Sequence, residues 1–230
     1  SGITSVKIPN TVTTLGKESF ASCLSMTSIE YPTSITSSTN DVFNGCGLLT
    51  SLTIYGDKEM INYDDNIKFR PWYGIRQQIT TITIKEGVKS IGSLAFSETS
   101  LTTISLPASV TKIGNNAFTS SKIKSISIPS TVTEVGESIF MNCVDLQTVE
   151  WKAGYATIPT STFENCKNLT SFTIEDNIRT IGMKAFASTG LTSIVIPEGV
   201  IKIDKVAFGN CTNLEEITIP STVTKIGNLF

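Results

Sequence analysis

The chain has 230 residues, 40% of them apolar, and lacks any apolar run near the roughly 18 residues that a membrane-spanning helix needs. Its net charge is −2 without a basic cluster, which excludes the electrostatic footprint of a nucleic-acid binder. It contains no histidine, so the usual general base at neutral pH and the commonest nitrogen ligand for zinc are both missing.

In chain order the dominant pattern is one unit written ten times. The units open at Ile3, Met26, Leu49, Ile79, Leu101, Ile123, Leu146, Leu169, Leu191 and Leu214, spaced by 22 or 23 residues except for a step of 30 after Leu49. A period of about 20–50 residues marks a solenoid, in which each unit buries its apolar side only against its neighbours. The expectation is a single solenoid over residues 1–230 of about ten repeats, with one irregular repeat at 49–78. Both ends fall inside the pattern without a polar cap, so they read as cut points.

The stretch Leu101 to Phe118 displays the template L-x-x-I-x-I-P-x-x-V-x-x-I-G-x-x-A-F. Ile104-Ser105-Leu106 alternates apolar and polar, as a half-buried strand does, and copies of one polarity are expected to stack in parallel along the axis. Pro9, Pro32, Pro107, Pro129, Pro197 and Pro220 end that strand, because proline cannot donate to the ladder. A second short extended piece, Val110 to Ile113, leads into a glycine column at Gly16, Gly92, Gly114, Gly136, Gly182 and Gly227. That column is expected to hold a backbone conformation that a Cβ disfavours. Phe20, Phe43, Phe96, Phe118, Phe140, Phe163, Phe186 and Phe208 align as an aromatic spine.

Cys23, Cys46, Cys143, Cys166 and Cys211 each follow a template Phe by three residues, while the 22-residue units carry Thr99, Ser120 or Thr189 nearby. The odd count and the lack of zinc or redox spacing favour buried core thiols over disulfides, metal binding or catalysis. No paired carboxylates or nucleophile with an adjacent base can be assembled from the motifs, so an enzyme is not expected.

With I-x-I-P, V-x-x-I-G and A-F-x-x-C-x-x-L in that order, the chain resembles the BspA-like leucine-rich repeats. The resemblance implies an α/β-class leucine-rich repeat: a right-handed, curved, strand-rich solenoid with a parallel sheet on one face. Members of that family are mostly surface or secreted proteins of mucosal bacteria and some protozoan parasites, and several are linked to adhesion. The resemblance brings no active site with it, and no cofactor. It implies an extracellular or cell-surface location and a host or microbial protein as partner, with the oligomeric state open.

Three units depart from the template. The second replaces I-G with Ser38-Thr39, and the seventh has Tyr155 at the Val position and Pro159 at the Gly position. The third abandons the pattern after Ile54. A repeat that breaks its own rule is where a site is expected.

Two surfaces are candidates for partner binding. One is the polar side of the first strand column, including Thr81, Thr83, Thr103 and Ser105, whose short hydroxyls also suit a merely solvated sheet. The other is the segment 55–78, with Tyr55, Tyr63, Phe69, Arg70, Trp72 and Tyr73, a composition suited to recognition. Three readings of it stand open: partner contact, a plug for the missing Val, Ile and Phe, or a cation site at Asp64-Asp65-Asn66 with Asp57 or Glu59. On the partner-contact reading, Trp72→Ala with Tyr73→Ala weakens binding and leaves the solenoid folded. Two functions follow: an adhesion-type interaction module, or a spacer that projects another domain.

Overall fold

The structure, a computed structural model, describes residues 2–63 and 70–228. It is a strand-rich parallel solenoid: ten first-side segments bracket about nine turns. Among the described residues there is no α-helix, and the one helical element is the 3-10 turn Tyr73–Gln78. The coil therefore uses tight turns where the α/β class label suggests helices.

Two columns of short strands run along the axis. In the first, Ser5–Lys7, Ser28–Pro32, Ser51–Tyr55 and Thr81–Ile84 form a four-stranded parallel sheet. Thr103–Ile104, Ser125–Ile128 and Thr148–Trp151 form a three-stranded one, and Ser193–Val195 pairs with Glu216–Thr218. Register is template to template: Val6 faces Ile29, Ile29 faces Leu52, and Leu52 faces Ile82. The strand period of two then puts every one of these apolar residues on the same side, and Ile29, Leu52 and Ile82 are buried while the residues between them are not.

The second column contains Ser90–Ile91, Lys112–Ile113 and Glu134–Val135, then Thr157–Ile158, Thr180–Ile181, Lys202–Ile203 and Lys225–Ile226. Its glycines have a different cause from the one expected. None of the six has a positive φ; for five of them the constraint is the preceding coil's backbone. A Cβ on Gly136 would stand 2.5 Å from Asn115 N, on Gly182 2.7 Å from Thr160 N and on Gly227 2.6 Å from Lys205 N. Gly16 is the exception, with Ser19 Oγ at 3.7 Å as its nearest neighbour.

The left-handed backbone falls instead in two columns of ordinary residues. One lies two residues past the glycine position (Glu18, Leu94, Asn116, Ser138, Ser161, Lys184, Val206) and the other two past the Phe (Ser22, Glu98, Ser120, Asn142, Asn165, Ser188, Asn210). Each lets the third side of the coil reverse direction twice, and Asn and Ser tolerate that conformation better than most side chains.

The interior is the expected spine. From Phe96 to Phe208 the rings follow one another at 5.3–5.9 Å between centroids. Trp72 extends the row, stacked on Phe96 at 6.1 Å, and fills the place of the Phe that the third unit lacks. From Trp72 onward each ring covers the next, Phe20 and Phe43 stack as a pair at 5.7 Å, and the apolar interior is one continuous cluster.

Candidate functional site

In the irregular third coil, two of the four described aromatic residues, Tyr63 and Trp72, point inward. Trp72 is fully enclosed, donates its indole N–H to Ala95 O at 2.8 Å and meets Tyr31 and Tyr63 edge-on. Tyr63 and Tyr31 are buried, and burial pushes the Tyr31 phenol up to about 12 and holds that of Tyr63 well above its ordinary value. Arg70 is buried too; its guanidinium donates to Ser97 O at 2.6 Å and Ser97 Oγ at 2.8 Å. Tyr63, Arg70 and Trp72 thus lie beneath the surface a partner would touch, because the coil needs them to replace its missing apolar residues. Phe69 and the candidate cation residues Asp64, Asp65 and Asn66 lie outside the described residues.

Among the described residues of the segment, two aromatic side chains reach the surface. Tyr73, 41% exposed, is bracketed by the guanidiniums of Arg76 at 4.1 Å and Arg70 at 5.3 Å. Arg76 also pairs with Glu98 at 2.7 Å on the next coil, which fixes the cation over the ring. Tyr55 is half-buried at the end of its strand, with its hydroxyl donating to Ile8 O across two coils and Lys7 Nζ 5.0 Å from its ring.

The polar side of the first column is as the alternation dictates. Thr81, Thr83, Thr103 and Ser105 are exposed in neighbouring coils. Shallow depressions lie between them, one of about 460 Å³ touching Thr81, Thr103 and Ser105 and one of about 520 Å³ over Ser125, Ser127 and Glu150. Ile82, Ile104 and Ile126 form their floors. The sheet face and Tyr73 are separate features, since Tyr73 opens the third-side turn.

On the second column is a feature the sequence did not announce as a surface. A groove of about 340 Å³ runs over Gly114 and Gly136, with Asn62 and Ser93 at one end and Tyr155 at the other. The signal that pointed to it was Tyr155 standing where the template has Val.

The cysteine column has a local structural task. Cys46, Cys143, Cys166 and Cys211 are buried, and their thiols donate to the carbonyls of Phe20, Phe118, Phe140 and Phe186 at 3.0–3.2 Å, one coil back. Where the turn is one residue shorter, Thr99 and Thr189 bond the Phe carbonyl of their own coil at 2.8 Å. The equivalent residue in the fifth coil is Ser121, which faces the Cys143 sulfur at 3.5 Å, rather than Ser120. All five thiols are free, and burial pushes Cys143 up to about 11. Cys143 and Cys166, both raised by burial, are poor nucleophiles held in the core, whereas Cys23 is half-buried.

The family model for the BspA type leucine rich repeat region matches residues 1–70, 66–189 and 179–230, in six copies. The chain belongs to the BspA-type leucine-rich repeat family. Its fold is shared with a leucine-rich repeat protein from Bacteroides ovatus, at 31% identity and a TM-score of 0.76 over 97% of this chain and 57% of that one. A leucine-rich repeat protein from Eubacterium ventriosum matches over 99% of this chain and 82% of its own, at 19% identity and a TM-score of 0.59. A leucine rich cell surface protein from Faecalibacterium prausnitzii matches at 24% identity over 99% of this chain and 86% of its own, with a TM-score of 0.41. The chain spans 57% of the length of the Bacteroides ovatus protein. Among curated proteins, none matches it. No helix among the described residues is long and apolar enough to cross a membrane.

As a BspA-type repeat, the chain has a site problem common to solenoids. Its regular coils repeat one surface, and only its irregular coils add something local. Among the third coil's described residues, Tyr63 and Trp72 are spent on the core, while Tyr73, Arg76 and Tyr55 reach the surface.

Proposed function

We propose that this repeat domain is an extracellular or cell-surface protein-interaction module of the adhesion type, with a host or microbial surface protein as partner. The observation that carries this is the parallel face of the first column, which runs along the axis as successive sheets of four, three and two strands. It presents Thr81, Thr83, Thr103 and Ser105 on adjacent coils above a rigid apolar core. A surface that long and that ordered can meet a partner without the cost of immobilising loops. Tyr73, held between Arg76 and Arg70, adds an aromatic and cationic anchor of the type that concentrates binding energy.

One observation favours the spacer reading: the outward positions of the face are short hydroxyls with hardly an aromatic among them. The two readings separate in a binding screen of the 230-residue chain against extracellular-matrix proteins and whole epithelial or bacterial cells. Beside it run Tyr73→Ala and a face variant, Thr103→Glu with Ser127→Lys, whose opposite charges sit diagonally on neighbouring strands and whose new Lys stands beside Glu150. Binding that the face variant abolishes with an unchanged circular dichroism spectrum supports the module. Silence from the parent chain supports the spacer. Binding that survives both variants rejects this face and this anchor as the site.

A further inference from the structure

We infer that the groove on the second column is a separate binding site for a neutral, hydroxyl-rich oligosaccharide. Its floor comes from regular coils. At Gly114 and Gly136 the missing side chains let successive backbones approach closely, and with no side chain projecting from them the groove runs over both. Its ends come from the two coils that depart furthest from the template. The third supplies Asn62 and the seventh supplies Tyr155, so irregularity and concavity coincide. From the third coil to the seventh there are four steps of about 4.8 Å, a trough of roughly 19 Å.

The lining is built for polar side-chain recognition. Asn62 Oδ1 accepts the Ser93 N–H and Asn115 Oδ1 accepts the Glu137 N–H, both at 2.9 Å. That fixes each amide oxygen toward the backbone and leaves the Nδ2 donors without a hydrogen bond among the described residues. Lys112 and Glu134 pair at 3.1 Å across neighbouring coils and supply donor and acceptor without net charge. Such a set suits a ligand that carries donors and acceptors and no charge. Tyr155, half-buried against the core, lines the groove's far end, and the exposed part of its ring is what the apolar face of a sugar would pack on.

A peptide is the weaker fit for a physical reason. Strand addition needs unpaired backbone groups at a sheet edge. Here the trough lies on a sheet face, where Gly114 and Gly136 already donate to Ile91 O and Ile113 O at 2.8 Å. The ligand must be read by side chains alone, and closely spaced hydroxyls match that array better than a peptide's amides. The site lies on a different face from the proposed protein interface and stands or falls independently of it.

The test is calorimetric titration of the whole chain with maltopentaose, cellopentaose, mannopentaose and chitopentaose, with an uncharged pentapeptide as comparator. Amide chemical shifts of Gly114 and Gly136 report the location. Tyr155→Val restores the template residue, which Val110, Val132 and Val200 show to be well buried in other coils. Asn115→Asp keeps the acceptor for Glu137 and removes the donor to the groove. The inference expects one saccharide to saturate the chain and shift those glycines. It expects Tyr155→Val to weaken that binding about tenfold with the melting temperature held within about 2 °C. It expects Asn115→Asp to weaken binding several-fold as well. No heat from any saccharide, equal affinity in Tyr155→Val, or glycine shifts induced by the pentapeptide instead would each overturn it.

Discussion

Alanine substitution at two glycines of one column should have opposite effects. At Gly136 a Cβ would stand 2.5 Å from Asn115 N, whereas ordinary contact begins near 3.4 Å, so the coils must part by about 0.9 Å. The hydrogen bond that crosses this step, Gly136 N–H to Ile113 O, is 2.8 Å long and would stretch to about 3.7 Å, beyond bonding range. Losing it in the interior costs about 1–2 kcal/mol, and the residual overpacking costs about as much again. Gly136→Ala is therefore expected to destabilise by about 2–4 kcal/mol, a fall in melting temperature of roughly 4–16 °C at this size. At Gly16 the nearest atom is a Ser19 hydroxyl at 3.7 Å and φ is not in the left-handed region. Gly16→Ala should then stabilise by about 0.4–1 kcal/mol, by restricting the unfolded chain. Thermal and urea unfolding followed by circular dichroism measure both. If the two changes share a sign, or Gly136→Ala costs less than about 1 kcal/mol, close coil approach is not the reason for this column.

Val206 is a β-branched residue at φ 56°, in a column where Asn116, at φ 55°, is well suited, so Val206→Asn should raise stability by about 1 kcal/mol in urea unfolding. Trp72→Ala should cost about 3–5 kcal/mol because it empties the spine, while Tyr73→Ala should change stability by less than about 0.5 kcal/mol. This reverses the sequence-based expectation that both could be removed without unfolding, and parallel melts of the single variants check it. Buried Cys143 titrates near 11 in the fold against about 9 when exposed, so the folded state keeps its proton longer. The corresponding stability is fully present below about pH 9 and is lost as pH rises toward 11, on the order of 2–3 kcal/mol from this thiol, with buried Tyr31 adding to the decline up to about 12. Urea midpoints between pH 8 and pH 11 test the sign. A thiol reagent at pH 8 should label half-buried Cys23 well before Cys143 or Cys166.

The architecture was legible because each coil states it again. Ile104-Ser105-Leu106 alone is an ambiguous trio, but ten registered copies leave parallel stacking as the way to bury them all. The Phe and Cys columns were legible for the same reason. The glycine column was located correctly and explained wrongly, since the collision is with the neighbouring coil and a single unit contains no trace of it. The left-handed columns escaped notice because Glu18, Leu94 and Val206 are not the residues that advertise positive φ. The third coil was undecidable in sequence: Trp72 and Tyr73 are adjacent and chemically alike, yet one completes the spine and the other faces water. Only the register of the spine separates them. The groove at Tyr155 arises from five coils together, so no local motif could display it.

The geometry of stacking also bears on what the two faces can do. In a parallel, in-register array, each outward position repeats about every 4.8 Å, so a like-charged column would repel itself along its whole length. Neutral hydroxyls avoid this, and where charges do occur in register they alternate: Lys7 beside Glu30 at 3.3 Å and Lys112 beside Glu134 at 3.1 Å. Lys202 and Lys225 are the exception, a like-charged register pair in which Lys202 turns instead to Asp204 at 2.6 Å. The Ser/Thr face is thus largely what the stack requires, and its composition alone argues neither for a ligand nor against one. Specific recognition has to come from positions where the register rule is broken. In this chain those positions are the third coil's Tyr73–Arg76 corner and the groove that ends at Tyr155, which makes them the first places to mutate when a ligand is found.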